Sequence, residues 1–397
     1  MARKYSILKN LPRDTAGLSG TSLILYLLFS MVSITASHIF LSLALIFWIV
    51  GRVRRREWPR FPSFFWPVLA FCGFSIIASL LSVNTEVSLL DSRDLLLFLI
   101  VPMTFAAFSA KKDLERAHLA LLVSGSASAL YALGYFLFVA QPGERISGFM
   151  GHWMTQAGLL LLFSCVSLSF FLLKKGRIRL IWGAAWVLAA VALALTLTRS
   201  AWVGGIVGTA VILALYKPRT LVILPVAGII FFLLSPAYMK TRILSTFSTR
   251  SVSNAQRLEY LRAGIQIIKD YPLFGTGPDT VDMVFQNPKY GLSDLARRNV
   301  HLHNNITQIG AERGIPALVS WLVFMGWLFL SLVRILRNKD PGLYPLAVAG
   351  LAALFALTTA GMFEYNFGDS EITVLFLYLV TIPFAQLRSR SAEEKKG

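Results

Sequence analysis

Long apolar runs recur along almost the whole chain, and this pattern constrains the fold more than any other feature. Of the 397 residues, 56% are hydrophobic and only 15% are charged. Soluble globular proteins usually have roughly 25% charged residues, so this composition is wrong for a water-exposed globule. Apolar runs of this length can span a bilayer, and a chain that does not close into a β-barrel crosses it as α-helices. The sequence therefore predicts an all-α polytopic membrane protein, with residues 1–397 as a single membrane domain.

The apolar runs divide into about 12 predicted transmembrane helices. Residues 18–50 are too long for one span, and we divide them into two near Ser37 and His38. The next spans occupy 63–82 and the stretches that end near residues 109, 140, 174, 198 and 217. The last four occupy 220–235, 315–333, 343–363 and 371–387.

Lys and Arg residues predict the orientation of these spans. Most of the 38 Lys and Arg residues fall on one face, in short loops, in a basic N-terminal lead and in the C-terminal tail. The short loops on the other face hold only Arg93, Arg145 and Arg199. Because short cytoplasmic loops are enriched in Lys and Arg, we expect both termini to be cytoplasmic. This asymmetry also accounts for the net charge of +18 without a nucleic-acid partner.

Residues 236–314 form the one long polar stretch, between the ninth and tenth spans. The predicted orientation places it outside the cell membrane, in the periplasm of a Gram-negative cell. Its first part, residues 254–270, has the periodicity of an amphipathic helix, which Pro272 ends. Gly275 and Gly277 then permit a tight turn.

The predicted amphipathic helix admits two interpretations. Its apolar side carries Leu258, Leu261, Ile265 and Ile268. It can lie on the membrane with solvated charges, or it can cover the bundle while Arg257 and Arg262 hold an anionic lipid headgroup. Both interpretations can hold together.

Arg199 is a candidate phosphate ligand, because it lies at the end of a span in the otherwise apolar stretch 180–216. A guanidinium at membrane depth is costly and indicates function by default. Its planar fork suits phosphate oxygens better than an ammonium group does. The alternative is that Arg199 reaches the outer headgroups. Arg145 and His152 lie in the polar loop 141–156, on the same predicted face.

His301 and His303 end the long loop and are candidates for proton transfer, since an unperturbed histidine titrates near neutral pH. A metal site is the first rival, because His-x-His beside Asp282 or Asp294 can bind a divalent ion. We expect no metal. Cys72 and Cys165 lie inside apolar runs and predict no disulfide.

Several motifs together resemble the bacterial O-antigen ligase and polymerase superfamily. The first is His303-Asn304 with Gly314 after nine further residues. Thr198-Arg-Ser-Ala-Trp-Val-Gly-Gly205 is similar to the arginine motif of that family. Arg257 with Tyr271-Pro-Leu-Phe-Gly-Thr-Gly-Pro278 resembles its long-loop motif, and Phe149-Met-Gly-His-Trp-Met-Thr155 resembles the ligase branch. The motifs follow the order of the family over roughly residues 20–385.

The resemblance implies a glycosyltransferase with the GT-C type of fold, which uses a lipid-linked donor and needs no cofactor. The donor would be a glycan on undecaprenyl diphosphate, and the acceptor a sugar hydroxyl of lipid A-core. Arg199 and Arg257 would then hold the donor diphosphate, and His303 would deprotonate or orient the acceptor hydroxyl. Arg262, His301, His152 and Arg145 are further candidates for substrate binding. A single displacement would invert the anomeric configuration.

Three other functions remain open. An O-antigen polymerase or a glycan-to-protein transferase would share these motifs. A transporter is a more distant alternative, because transporters place charges or broken helices near the membrane midplane. Here almost all charges lie at span ends or in loops, which favours chemistry on one face.

Overall fold

Membrane-length helices dominate the computed structural model, which describes residues 14–246, 248 and 251–394. The α-helices are α1 (Thr15–Phe29), α2 (Ile34–Arg55), α3 (Phe65–Leu80), α4 (Thr85–Asp91), α5 (Ile100–Ala107), α6 (Lys111–Phe138), α7 (Trp153–Leu173), α8 (Ile178–Leu195), α9 (Arg199–Tyr216), α10 (Ile223–Leu234), α11 (Ala237–Leu244), α12 (Val252–Asp270), α13 (Val281–Phe285), α14 (Asn305–Arg337), α15 (Tyr344–Ala360) and α16 (Ser370–Glu394). Some basic residues of the predicted cytoplasmic lead and tail, and one of the long loop, lie outside the described residues: Arg3, Lys4, Lys9, Arg13, Lys395, Lys396 and Arg250.

Seven helices are long and apolar enough to cross a membrane, and they confirm a polytopic all-α membrane protein. They are α2, α6, α7, α8, α9, α14 and the part of α16 up to Arg390. Shorter apolar helices accompany them: α1, α3, α15 and the segment Pro218–Leu234. These elements account for most of the predicted spans.

Three predicted boundaries differ from the structure. The break within residues 18–50 falls at residues 30–33, where Ser33 caps α2, so His38 lies inside a helix. The fourth span is not one α-helix, since a 3-10 helix (Ser92–Leu99) runs into the eight-residue α5. The tenth span begins earlier than predicted, at Asn305, and Gly314 kinks α14 with a φ of 77°.

Helix α7 forms the centre of the bundle, because almost all its side chains from Thr155 to Phe170 are buried. Small residues let other helices approach closely. An added Cβ on Gly204 would lie 2.6 Å from the carbonyl oxygen of Ala356, so α9 packs backbone to backbone on α15. Such small-residue contacts are typical of membrane helix pairs.

The long loop folds into a second, smaller core above the bundle. Helix α12 buries Tyr260, Ala263 and Ile267 against residues of α13 and of the loop up to Leu302. The predicted apolar side of α12 faces the other way, since Leu258, Leu261 and Ile265 are exposed. Helix α12 therefore packs one side inward and leaves its apolar side exposed.

Residues 271–278 dock this second core onto the kink of α14. The backbone N–H groups of Thr276 and Gly277 donate to the carbonyls of Ala311 and Glu312, at 2.8 and 2.9 Å. In return, the N–H of Ile315 donates to the carbonyl of Pro272 at 2.8 Å. The kink at Gly314 frees α14 backbone groups, and this segment satisfies them. The contact holds the loop before α14 in one position.

Candidate functional site

His303 stands immediately before α14, where a cap and two backbone contacts fix its position. The side chain of Asn304 caps α14 by accepting from the N–H groups of Ile306 and Thr307, at 2.9 and 3.0 Å. Its amide nitrogen also donates to the carbonyl of Met362 at 2.9 Å. The histidine itself has a φ of 50°, a left-handed conformation that is uncommon outside glycine and indicates a constrained position.

Glu364 is the hydrogen-bond partner of His303. The Nδ1 atom of His303 lies 3.0 and 3.1 Å from the two carboxylate oxygens. An ionised carboxylate only accepts hydrogen bonds, so Nδ1 carries the proton and donates it to Glu364. The Nε2 atom of a neutral His303 is then left with a lone pair. This arrangement makes Nε2 available as a proton acceptor.

The environment keeps Glu364 ionised although the residue is only 7% exposed. Burial alone would raise the pKa of its carboxyl. The hydrogen bond from His303, with the positive charge that Arg257 carries and that the two histidines carry when protonated, outweighs this effect and holds the pKa below its ordinary value. An ionised Glu364 stabilises a His303 that gains a proton.

His301 packs edge to face on His303, with ring centroids 4.2 Å apart. Burial lowers the pKa of His301 to about 4, even though Glu364 opposes this change. His301 is therefore neutral near pH 7, and its 3.7 Å contact with Glu364 is not an ion pair at that pH. Its Nδ1 atom is buried and has no hydrogen-bond partner among the described residues.

His301, His303 and Glu364 are also the one set of described residues that can hold a metal ion. One ligand atom from each lies within 4.8 Å of the others. Two imidazoles and a carboxylate are zinc ligands in many proteins. The sequence suggested Asp282 or Asp294 as the carboxylate ligand beside the histidines, and neither belongs to this set of residues. Positive charge from the arginines nearby disfavours a divalent cation.

Four arginines surround a small cavity next to His303. The cavity measures about 70 Å³, and its lining includes Arg145, Arg199, Arg242, Arg257 and His303. An adjoining cavity of about 210 Å³ shares Arg199 and Arg257 with it and adds the apolar side chains of Val203 and Phe363. Clustered guanidinium groups beside an apolar groove suit a phosphate that is attached to a lipid.

Arg199 is held by the long loop. Its Nη1 atom donates to the carbonyl of Ser245 at 2.8 Å, and Nη2 donates to the side chains of Ser253 and Asn254 at 3.0 and 2.9 Å. These bonds tie the start of α9 to the start of α12. Arg199 thus lies at the cavity as the sequence predicts, but both its terminal nitrogens already have protein partners.

Arg257 has no such partners. Its side chain makes no hydrogen bond or ion pair within the described part of the chain, and it lines both basic cavities. Burial lowers its pKa, while Glu364 favours its charged form. Arg262, one turn further along α12, is exposed and does not line these cavities. The structure therefore brings Arg257 to the site and leaves Arg262 outside.

Arg145 reaches the same cavity from the loop before α7. Its Nη2 atom donates to Thr198 Oγ1 at 3.0 Å and its Nε to the carbonyl of Thr196 at 3.2 Å. The guanidinium lies over the ring of Trp153, 4.5 Å from the centroid. Burial and the charge of Arg242 lower its pKa to about 10, so it remains charged at neutral pH.

A larger cavity of about 370 Å³ lies beside the basic one. Met154 and Thr198 line both cavities. His152, His301 and Glu364 line the larger cavity, and His303 lines only the basic one. His152 stacks on Trp153 and is otherwise exposed. His301, His303 and Glu364 thus lie between the basic cavity and the larger one.

Two residues of this site escaped the sequence analysis. Glu364 belongs to a short loop on the predicted outer face. The sequence signal that could have identified it is a carboxylate in the apolar surroundings of residues 361–369. Arg242 donates through Nε to the carbonyl of Leu197 at 3.1 Å and lines the basic cavity. Nothing in the sequence distinguishes Arg242 from the other basic residues of the long loop.

Comparison with known proteins finds both a relative and a family model that match this chain. A protein of Haemophilus influenzae whose function is uncharacterized is 24% identical over 330 residues, which cover 75% of this chain and 81% of that protein. Residues 184–322 match the sequence model of a family described as O-antigen ligase. This region contains Arg199, Arg242, Arg257 and both histidines of the site, whereas Glu364 and Arg145 lie outside it. Residues 184–322 are therefore a domain of the O-antigen ligase family, carried by a polytopic membrane protein.

Proposed function

We propose that this protein is an O-antigen ligase. It transfers a polysaccharide from undecaprenyl diphosphate to a sugar hydroxyl of lipid A-core, on the periplasmic side of the bacterial inner membrane. One observation carries the proposal: a histidine held by a buried carboxylate adjoins a cavity lined by four arginines. This arrangement combines a proton acceptor with a binding site for an anionic leaving group.

The arginines bind the diphosphate of the donor. In our proposal Arg257, the one of the four with no hydrogen-bond or ion-pair partner among the residues that the structure describes, contacts the diphosphate directly, and Arg145 and Arg242 add charge. Arg199 keeps the long loop over the cavity and contributes its own charge. Preorganised positive charge stabilises the phosphate oxygens as negative charge grows on them, and such groups contribute about 3–4 kcal/mol each in well-studied sites.

His303 provides for the acceptor. The hydroxyl oxygen attacks the anomeric carbon of the donor, and its proton passes to Nε2 of His303. The bond between that carbon and the diphosphate oxygen breaks, and the electron pair leaves with undecaprenyl diphosphate. Glu364 stabilises the imidazolium that forms. Attack opposite the leaving group inverts the anomeric configuration, and the scheme needs no metal.

The fold supports this assignment as a membrane glycosyltransferase of the GT-C type. The candidate site gathers at one end of the helices, under the long loop. We infer that this end faces the periplasm, because the basic short loops lie at the opposite ends of the spans, and that both termini are cytoplasmic. The apolar groove beside Arg257 would receive the first part of the polyprenyl chain.

Lipopolysaccharide from a strain that lacks this gene tests the proposal. A ligase predicts bare lipid A-core, with long polymer accumulating on the carrier lipid. Core that carries one repeat unit would identify a polymerase of the same superfamily. An unchanged profile would contradict both functions and would leave protein glycosylation or transport of the lipid-linked glycan to be tested.

A further inference from the structure

The larger cavity is strongly acidic, in contrast to its basic neighbour. We propose that it binds the sugar ring next to the reacting centre and selects a ring that is uncharged or carries an amino group. Acidic sugars, such as uronic acids and phosphorylated rings, are excluded. The inference rests on the proposed function, because it names the class of sugar that this transferase accepts.

The charge of the cavity lining is one-sided. One guanidinium, that of Arg313, faces it among the lining residues. Six carboxylates line the same space: Asp91, Asp94, Asp279, Glu312, Glu364 and Asp369. A further negative charge brought into this space by a ligand would be repelled by the carboxylates.

Four of these carboxylates already have partners. Asp91 and Glu312 bind Arg313 at 3.0 and 3.1 Å, and Glu364 binds His303. Asp369 accepts a hydrogen bond from Thr155 at 2.6 Å. These four are therefore part of the wall, and their hydrogen-bonding capacity is partly used.

The other two carboxylates, Asp94 and Asp279, have no hydrogen-bond or ion-pair partner within the described part of the chain. Both residues are exposed, so their carboxylates are accessible to a ligand in the cavity. Arg313, more than nine-tenths buried, adds an Nε–H group that also lacks a partner. A ligand hydroxyl group would supply the hydrogen bond that the buried Nε–H of Arg313 lacks, and other hydroxyl groups could donate to the two exposed carboxylates.

The size and the apolar part of the lining suit a sugar. Ligand pockets usually measure about 300–1,000 Å³, and this cavity measures about 370 Å³. Phe71, Phe98, Tyr365 and Phe367 line it alongside the acids. Aromatic rings cover the apolar C–H face of a sugar, while carboxylates accept from its hydroxyl groups. An ammonium group on the ring would pair with Asp94 or Asp279.

The position of the cavity links it to the reaction. It shares Met154 and Thr198 with the arginine-lined cavity, and Glu364 forms part of its wall. A ring bound here therefore lies next to the diphosphate site and to the His303–Glu364 pair. Either the acceptor sugar or the first sugar of the donor satisfies this geometry, and the chemistry that the wall selects is the same for both.

Binding of simple glycosides to the full chain in lipid nanodiscs tests the inference without any turnover. Saturation-transfer NMR would compare methyl glucoside, methyl glucosaminide and methyl glucuronide. We expect the first two to bind and the glucuronide to bind at least about tenfold more weakly, which corresponds to about 1.4 kcal/mol. Equal binding of the glucuronide and the glucoside would overturn the inference.

Isosteric variants connect the ranking to the two free carboxylates. The double variant Asp94→Asn/Asp279→Asn should bind the glucuronide and the glucosaminide no differently from the glucoside. Asp294→Asn is the matched control, since the Asp294 side chain is 97% exposed and lies outside the cavity. If the double variant does not fold, each single variant should shift the ranking in the same direction. An unchanged ranking in folded variants would contradict the proposal.

Competition during transfer separates the two sources of the sugar. A glycoside that raises the KM of the acceptor alone occupies the acceptor site, and one that raises the KM of the donor alone occupies the donor site. Binding with the expected ranking but no transfer would refute the proposed function and leave the sugar site standing. Transfer without the ranking would refute the sugar site alone.

Discussion

At the scale of single residues, the central feature is a histidine whose two nitrogens have different roles. Nδ1 of His303 donates to Glu364, and this bond selects the tautomer that leaves Nε2 free. A carboxylate that orients a histidine and stabilises its protonated form also recurs in unrelated hydrolases. In our proposal it makes His303 a base of defined direction, beside a cavity suited to an anionic leaving group.

Replacement of Glu364 by glutamine tests this tautomer argument. Glu364→Gln keeps the shape but removes the charge that stabilises imidazolium, and its amide can donate to Nδ1 and favour the wrong tautomer. We expect kcat to fall on the order of a hundredfold, within the range of general-base effects, with the KM of the donor little changed. Steady-state transfer kinetics measure this.

The double variant His303→Ala/Glu364→Gln provides the control for that prediction. If the two residues act as a pair, the double variant should be no slower than His303→Ala alone. If the losses of rate of the two single variants instead multiply in the double variant, Glu364 acts independently of His303.

Addition and removal of metal test the second chemistry that these residues allow. We expect a chelator such as EDTA to leave the transfer rate unchanged, because the proposed steps use only arginines and His303. Added zinc should inhibit, since it would bind Glu364, His301 and the Nδ1 atom of His303, which leaves the ring proton on Nε2 and removes the base. His301→Asn removes one ligand and should raise the zinc concentration needed. Loss of activity in EDTA that zinc restores would contradict the account.

Sequence reasoning found the residues of this site unevenly. Five residues that the sequence analysis named line either the basic or the acidic cavity: His303, Arg199, Arg257, Arg145 and His152. Their motifs or their position at span ends identified them. Glu364 could not be paired with His303 in this way, because 61 residues separate them and only the packing of α14 against the outer loop joins them.

At the scale of elements, helix α12 determines which arginine reaches the site. Its periodicity predicts a helix correctly, but not which side packs inward. The side that faces the core consists of Tyr260, Ala263, Gly264 and Ile267, while Leu258 and Leu261 of the predicted apolar side are exposed. In a membrane protein both water and lipid lie outside, so hydrophobicity alone does not identify the packed side.

Arg257 and Arg262, which lie more than one turn apart on α12, therefore provide a matched test. Arg257→Ala should reduce transfer by about a hundredfold to a thousandfold, as expected for loss of one preorganised donor. Arg262→Ala removes an equal charge from the exposed side and should change transfer less than twofold. Arg257→Lys should recover only part of the rate, because it keeps the charge without the fork. Equal losses for Arg257→Ala and Arg262→Ala would indicate a general electrostatic effect.

The contact between residues 271–278 and α14 is the element that positions His303. Gly314 has a φ of 77°, and a Cβ added there would lie 2.2 Å from the carbonyl oxygen of Leu273. Gly291 has a similar φ of 65°, with nothing within 4 Å of an added Cβ. The two glycines separate the effect of backbone conformation from that of close packing.

We expect Gly291→Ala to lower the free energy of unfolding by about 1–2 kcal/mol, the cost of a left-handed residue. Gly314→Ala should lower it by a further 1–3 kcal/mol or so, because the methyl group must displace a packed backbone. Thermal unfolding in detergent, calibrated with the wild-type chain, measures both. Equal losses would show that the segment 271–278 is not tightly docked on α14.

At the scale of the whole molecule, the hydrophobic pattern predicted the class of fold and most spans. Segments that depart from regular helices were not predicted: the 3-10 helix Ser92–Leu99 and the early start of α14. Both adjoin the acidic cavity, since Asp94 and Glu312 line it. Irregular backbone within a membrane domain is tolerated where it lines a cavity, and periodicity cannot reveal it.

The two cavities explain why the protein needs so large a frame for so few reacting groups. In the proposed function a lipid-linked donor and a second substrate meet at one base, and we infer opposite charge preferences on its two sides. The bundle supplies His152 and Arg145 before α7, Arg199 at α9 and Glu364 after α15, and the long loop adds Arg242, Arg257 and His303. The meeting of these segments is a property of the tertiary packing.

The most direct test is transfer by the purified chain in nanodiscs, with a lipid diphosphate-linked glycan, lipid A-core acceptor and EDTA, followed by NMR of the new linkage. The account predicts release of undecaprenyl diphosphate and an inverted anomeric configuration, with His303→Ala slower by about a hundredfold to ten-thousandfold. A product that retains the donor configuration, or an unimpaired His303→Ala variant, would contradict it.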